Sequence, residues 1–397
     1  MADTLKTDIV VIGGGISGLW LLNAFKQLGF NSLLLEKNTL GGDQTIASQG
    51  MIHGGIKYTL GGFSTPASIS IASMPETWRN CLSGAGTMDL RQVDVLSNDY
   101  YLFSDGSISS KLTAFLGSKS IRSRVSSLPR QEYPKPFSNA QFKGWLYQLQ
   151  DLVINTSSLL TTLQNLAEKH TFRTSVRLVC NTHNQVECVQ LENGLSLKAS
   201  LYVLAAGAGN ADLLAACNIG SIKMQRRPLH QVMLCSEDLP SVFAHAVSLG
   251  SADKPRITIT THKTKNGVPV WYLGGDLAET GVRRSEGEQI DFAQKELSSL
   301  FPWMTPSKAQ WATHRIDRAE PAQAERNRPD HPYHKSTQNL LVCWPTKLTL
   351  VPMMAESICA TLTREHTLPA QQGGKNHLAL PDLPIAEVSP APWEAAF

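Results

Sequence analysis

Between Asp8 and Glu36 the chain carries an apolar run, a glycine triplet and a helical segment in an order that few folds accommodate. Ile9-Val10-Val11-Ile12 is continuous and β-branched, the pattern of a strand buried on both faces of a parallel sheet. Gly13-Gly14-Gly15-Ile16-Ser17-Gly18 follows at once, and Ile16 to Leu28 is helical in character, with Leu19, Leu22, Ala24 and Phe25 apolar and Gly29 at the C′ position. A second apolar run, Ser32 to Leu35, closes on Glu36-Lys37. In a G-x-G-x-x-G turn, the residue at Gly13 makes the tight bend, that at Gly15 lets backbone approach a pyrophosphate, and that at Gly18 lets helix and strand pack closely. The amides of Gly15, Ile16 and Ser17 at the helix N-terminus suit phosphate oxygens. Glu36, about twenty positions on, suits the hydroxyls of an adenosine ribose. The pattern predicts a dinucleotide site; a ligand-free glycine turn leaves Glu36 without a role.

The chain has 397 residues, which suits two domains or one large α/β unit with insertions. A composition of 42% hydrophobic and 17% charged residues excludes a disordered or collagenous chain. Basic and acidic residues number 36 and 33, so no nucleic-acid partner is indicated. The seven cysteines are scattered with no C-x-x-C, which reads as separate reduced thiols and argues against a disulfide framework, a zinc site or a dithiol redox pair. No metal is expected. No stretch of eighteen apolar residues occurs, and Ile9 to Ile12 is too short for a signal-peptide core. The expectation is a cytoplasmic protein, with peripheral membrane association left open.

FAD is favoured over NAD by three features. Beyond Gly41-Gly42, the small polar stretch Thr45-Ile46-Ala47-Ser48-Gln49-Gly50 suits close backbone approach to a cofactor. A later strand runs into small residues at Ala205-Ala206-Gly207. The fingerprint also stands near the N-terminal end of the sequence. Separately, no second complete glycine fingerprint exists for an NAD(P)H domain.

At these residues the chain resembles the D-amino-acid oxidase superfamily of flavoproteins. Ile52-His53-Gly54-Gly55-Ile56-Lys57-Tyr58 is similar to a stretch of the FAD-dependent glycerol-3-phosphate and L-2-hydroxyglutarate dehydrogenases, with Lys57 in place of the arginine of the former. Thr346-Lys347-Leu348-Thr349 is similar to the G-K-L-T stretch of the glycerol-phosphate enzymes. The resemblance implies a Rossmann-like FAD-binding domain (residues 1–80, 140–220 and 320–365). It is interleaved with an α+β substrate domain on an antiparallel sheet (residues 81–139 and 221–319). It implies non-covalent FAD, with Val176 at the adenine by its backbone and Lys347, Leu348 and Thr349 near the flavin. Residues 366–397, proline-rich and aperiodic, read as an extended C-terminal tail. Val176 to Ser200 reads as a β-meander covering the nucleotide sheet, and Asn266-Gly267 as a hairpin turn.

With neither a nicotinamide domain nor a dithiol, the substrate itself must reduce the flavin. The expected reaction is hydride removal from a C–H bearing OH or NH in a small anionic substrate, with oxygen, a quinone or another carrier as electron acceptor. Arg315, in His314-Arg315-Ile316-Asp317-Arg318, is the expected anion anchor; a salt bridge to Asp317 or Glu320 is the structural alternative. Lys57 and Lys347 are candidate contacts to substrate and flavin, and His53 a candidate base. His230, His314, Tyr58 and Tyr272 are weighed as possible contacts against ordinary packing, and His331 and His334 as loop residues. The alternatives that remain are amine or amino-acid oxidation against hydroxy-acid or polyol-phosphate dehydrogenation, with the stretches around His53 and Lys347 leaning to the hydroxy compounds, an NAD-dependent dehydrogenase, and a non-catalytic binding protein that keeps the fold.

Overall fold

The run Ile9 to Ile12 is buried throughout, which requires strands on both of its edges. In the computed structural model, which describes residues 4–55, 71–104, 106, 125–168, 170–247, 254–324, 329–364, 380 and 383–397, the strand Thr4–Ile12 lies between Ser32–Glu36 and Ser196–Leu204, parallel to both. Thr171–Arg173 extends the sheet beyond Ser32–Glu36, and Leu340–Trp344 pairs with the second half of Ser196–Leu204, again parallel. The helix Ile16–Gln27 returns across this sheet and packs against Val351–Arg364. The meander strands Val176–Cys180 and Val186–Leu191 are hydrogen-bonded into this sheet, because the meander's last strand and the run into Ala205 are one nine-residue strand.

A second eight-stranded sheet runs in the order Gln310–Pro321, Met224–Cys235, Pro269–Gly274, Ile257–Lys263, Ala244–Ala246, Tyr100–Ser104, Trp145–Leu149, Val125–Ser127. Its pairs are antiparallel except Ala244–Ala246 with Tyr100–Ser104. Strand alternation gives the sheet two apolar faces. Met233, Cys235, Val270 and Tyr272 join the core of the nucleotide-binding half. Val232, Leu234, Trp271 and Leu273 pack with the helix Glu286–Leu300, which opens on a capping box of Ser285 and Glu288. The architecture is thus a Rossmann-like α/β half against an antiparallel α+β half. Among the described residues no helix is long and apolar enough to cross a membrane.

Two expectations need correction. Cys180 and Cys217 are joined as a disulfide, with Cα atoms 5.7 Å apart. Their 37-residue separation carries no pairing signal; the fold brings the end of helix Asn210–Ala216 to strand Val176–Cys180. The end of the chain is also no loose tail. Val388 bridges to Leu40 and Ile385 to Phe172. Trp393, 4% exposed, stacks on His262 with ring centroids 3.9 Å apart and meets Tyr272 edge-on. One tryptophan supplies enough apolar area to hold such a segment, although the segment shows no periodicity.

Burial holds the His262 imidazole down at about 3. The folded state therefore favours the neutral ring, whereas the unfolded chain protonates near 6.5. Stability from this group is complete above about pH 6.5 and declines as pH falls toward 3. Urea midpoints measured from pH 7 to 4 are expected to fall, and less so in His262→Phe; equal slopes would assign the loss to other groups.

Candidate active site

One cavity of about 1520 Å³ is lined by both halves of the molecule. At its nucleotide end the fingerprint turn is packed backbone to backbone. Gly13 has φ +110°, and a Cβ there would lie 2.5 Å from Ala206 Cα. The Gly14 N–H donates to Glu36 Oε2 at 2.6 Å, and the Asn38 N–H donates to Glu36 Oε1 at 2.8 Å. Helix Ile16–Gln27 starts at Gly15 with no side-chain cap from that residue and no acid in its first turn, while the Ile16 N–H meets Thr45 Oγ1 at 3.1 Å. Open first-turn amides, a close-packed glycine turn and a carboxylate beyond the second strand fit a dinucleotide. Gly13, Gly15, Ile16, Ser17, Glu36, Lys37, Thr45, Val176, Ala206 and Gly207 all line the cavity.

Further along it come Ala47, Ser48, Gln49, His53, Lys347 and Leu348. His53 is 4% exposed. Thr349 Oγ1 donates to the His53 carbonyl at 3.2 Å, so the two short stretches singled out in the sequence, 296 residues apart, form one wall. The Lys347 side chain is 3% exposed, and its Nζ donates to the Asp330 carbonyl at 3.2 Å. The same ammonium lies 3.8 Å from Asp330 Oδ1, so its charge is partnered at the wall of the cavity.

Three expected cofactor residues do not line the cavity. A Cβ at Gly18 would lie 1.9 Å from the Gly13 carbonyl, so Gly18 serves helix–strand packing. Gly50 has φ +68° and abuts the Ile154 carbonyl, and Thr349 is the tie to His53. Lys57 and Tyr58 lie outside the described residues.

Arg315 lines the cavity and is exposed. It pairs with neither Asp317 nor Glu320; Asp317 faces Arg226 and Glu320 faces Arg227. Its guanidinium instead donates to the Val282 carbonyl at 2.8 Å and the Arg284 carbonyl at 2.5 Å. It sits opposite His230, whose Nδ1 bonds the Gly281 carbonyl at 3.0 Å, so both side chains reach the 281–284 segment. Tyr272, buried, donates toward the Ala47 carbonyl and Gln231, and burial pushes its phenol far up. Burial also lowers the His230 and His314 imidazoles. His334 Nε2 contacts Ser357 Oγ at 2.8 Å.

The sequence reading missed a charged cluster on the antiparallel wall. Arg227 makes a two-pronged bond to Glu320, at 2.7 and 2.8 Å, and Glu320 is 0% exposed. Arg318 and Lys254 meet Glu279 at 3.1 and 2.6 Å. Burial works to raise the Glu279 carboxyl, but its bonds to Lys254 and Arg318 outweigh that and hold it at about 2. Arg227 and Glu320 are 93 residues apart in the chain, and the basic pair Arg226-Arg227 and the mixed run Asp317-Arg318-Ala319-Glu320 were the available hint.

The fold and this cavity define a dinucleotide-binding α/β protein with an antiparallel second half. Residues 8–355 match the family model described as FAD dependent oxidoreductase (DAO), and the chain belongs to that family. It is 43% identical over its full length, and over the full length of the relative, to a Pseudomonas aeruginosa protein named "Probable FAD-dependent oxidoreductase". The crystal structure of the FAD dependent oxidoreductase from that organism superposes with a TM-score of 0.86 at 38% identity, covering 100% of both chains. Glycine oxidase from Geobacillus kaustophilus shares the fold at 15% identity and TM-score 0.65, covering 93% of this chain and 97% of its own. Iminodiacetate oxidase from Chelativorans sp. BNC1 does so at 15% identity and TM-score 0.64, covering 92% and 96%. The chain is an FAD-dependent oxidoreductase.

Proposed function

We propose that the enzyme oxidises a C–H bond next to nitrogen or oxygen in a small anionic substrate, with amino compounds ahead of hydroxy compounds. The observation that carries this reading is the continuity of one cavity from Glu36, past His53 and Lys347, to an antiparallel wall bearing Arg227, Arg315 and Arg318. The place given to amino compounds rests on the names of the proteins of like fold, glycine oxidase and iminodiacetate oxidase. FAD, held non-covalently by the fingerprint turn and Glu36, supplies a two-electron acceptor. The protein's own groups bind and orient the substrate. Arg315 has no carboxylate within salt-bridge distance among the described residues, and two carbonyls hold its fork in place. It is therefore the anion anchor of this reading. His53 is the buried group placed to hold or move a proton.

The test is an absorption spectrum of the purified protein, repeated on the supernatant after acid precipitation, then anaerobic mixing with paired amino and hydroxy acids such as alanine and lactate. Flavin bands in the supernatant and bleaching by the amino member support the reading. Bleaching by the hydroxy member alone reverses the order, and bleaching by neither, across a panel of small anions, defeats it. Peroxide formation in air would make oxygen the acceptor; its absence would point to a quinone or another carrier. In the same assay Arg315→Ala is expected to raise the Kd for the bleaching acid about 10- to 100-fold at unchanged flavin content. An unchanged Kd would remove Arg315 from the site.

A further inference from the structure

Gln49 stands on the cofactor-side loop but reaches across to the antiparallel sheet. Its Nε2 donates to the Tyr272 carbonyl at 2.8 Å and the Thr258 carbonyl at 3.3 Å, with Thr260 Oγ1 at 3.4 Å. Backbone carbonyls can only accept, so the nitrogen must be the end that faces them, and the orientation of the amide is fixed by its neighbours. With both N–H groups committed, the oxygen is the remaining end, and among the described residues no donor reaches it. Gln49, Thr258 and Gly274 all line the cavity. Gly274 makes the arrangement possible. A Cβ at that position would lie 2.5 Å from Gln49 Oε1 and 3.2 Å from its Cδ, so any side chain there would displace the amide. Thr258 and Gly274 are register partners, so the glycine and the carbonyl that holds the amide are fixed to each other by the sheet.

We infer that Gln49 is a specificity-determining residue: its Oε1, locked by Thr258 and Tyr272 and given room by Gly274, accepts a hydrogen bond from the N–H group of the substrate. The inference rests on the reading of the cavity as the site of a small amino-bearing anion and names the group that reads the amine. An amide oxygen rewards a charged N–H donor more than a hydroxyl and gains nothing from a methyl group, since a lone pair left facing a methyl loses its water partner. It selects by what the substrate can donate, while the arginines select by charge.

Three probes without a hydrogen on the carbon next to the carboxylate isolate binding from turnover. These are 2-aminoisobutyrate, 2-hydroxyisobutyrate and pivalate, which have nearly the same shape and differ in NH₃⁺, OH or CH₃. Each is titrated into the flavin-loaded enzyme, and Kd is read from the change in the flavin spectrum. The expected order of affinity is amino, hydroxy, methyl, with about tenfold or more between the first and last. In Gln49→Leu the gap is expected to close to about twofold while the Kd of pivalate is unchanged. Gly274→Ala, which keeps the glutamine and displaces its oxygen, is expected to do the same and guards against a folding defect in the first variant. A gap that survives both substitutions at full flavin content overturns the inference, as does equal binding of all three probes by the unaltered enzyme; both leave the anion site standing. Loss of flavin from Gln49→Leu and Gly274→Ala alike overturns it in another way, by assigning Oε1 to the cofactor. If none of the probes perturbs the flavin of the unaltered enzyme, the small-anion reading fails and the inference falls with it.

Discussion

Gly18→Ala is expected to purify without flavin colour and to unfold at markedly lower urea. The added methyl would lie 1.9 Å from the Gly13 carbonyl and 3.2 Å from Leu34 Cδ1. The first of these is backbone, held in a turn where Gly13 already occupies φ +110° and rests on Ala205 and Ala206. Neither helix Ile16–Gln27 nor strand Thr4–Ile12 can yield, because both are buried on several sides. Forced overpacking of this kind costs about 3 kcal/mol. It also moves the amides that suit the pyrophosphate, so the stabilisation that bound FAD contributes is lost as well. Gly287→Ala is the control. Gly287 is exposed in helix Glu286–Leu300 with nothing within 4 Å of the added carbon, and it should stabilise by about 0.5–1 kcal/mol. Full flavin content and an unchanged midpoint in Gly18→Ala would show that the turn tolerates what its geometry forbids.

Arg227→Leu is expected to be comparably damaging, by electrostatics. Glu320 has no exposed surface and takes both prongs of the Arg227 guanidinium, with Gln225 Nε2 a weaker donor at 3.4 Å. Removing the arginine leaves a buried carboxylate short of its main partner, which costs about 3–5 kcal/mol. Removing both charges avoids that penalty, so Arg227→Leu with Glu320→Leu should recover most of the loss. The cycle is read from urea unfolding of flavin-loaded protein. A double variant no more stable than the single one would mean that the pair contributes through packing alone. Arg227 also lines the cavity and neighbours Arg318 and Glu279, so the single variant should weaken anion binding even where it folds.

The nucleotide half was legible because its signals are local. A strand, a turn that needs particular φ values, a helix start and an acidic residue follow one another within thirty residues. Each is set by backbone sterics or by the burial of a short run. Gly13, Gly15, Glu36, Thr45, Ala47, Ser48 and Gln49 line the cavity on those grounds. The stretches around His53 and Lys347 were found one at a time; that they share a wall is a property of the fold. The substrate half was legible in its elements and not in its contacts. Which arginine meets which carboxylate depends on the register of Met224–Cys235 against Gln310–Pro321, and a slip of one residue would turn every side chain to the other face. For this reason Arg315 turned out to be held by carbonyls, while Arg227 and Arg318 took the carboxylates.

The C-terminal segment and the cysteines mark the same boundary. Trp393 finds His262 and Cys217 finds Cys180 because the packed sheets bring them together, with no periodic pattern to announce it. By itself the sequence determined a dinucleotide-binding α/β chain, since steric rules on a few consecutive residues leave a glycine fingerprint little else to be; the preference for flavin rested on other segments and on the family resemblance. The tertiary structure alone decided which polar groups share the cavity and which end of the Gln49 amide is bound, because hydrogen-bond partners are assigned by distances between strands far apart in the chain.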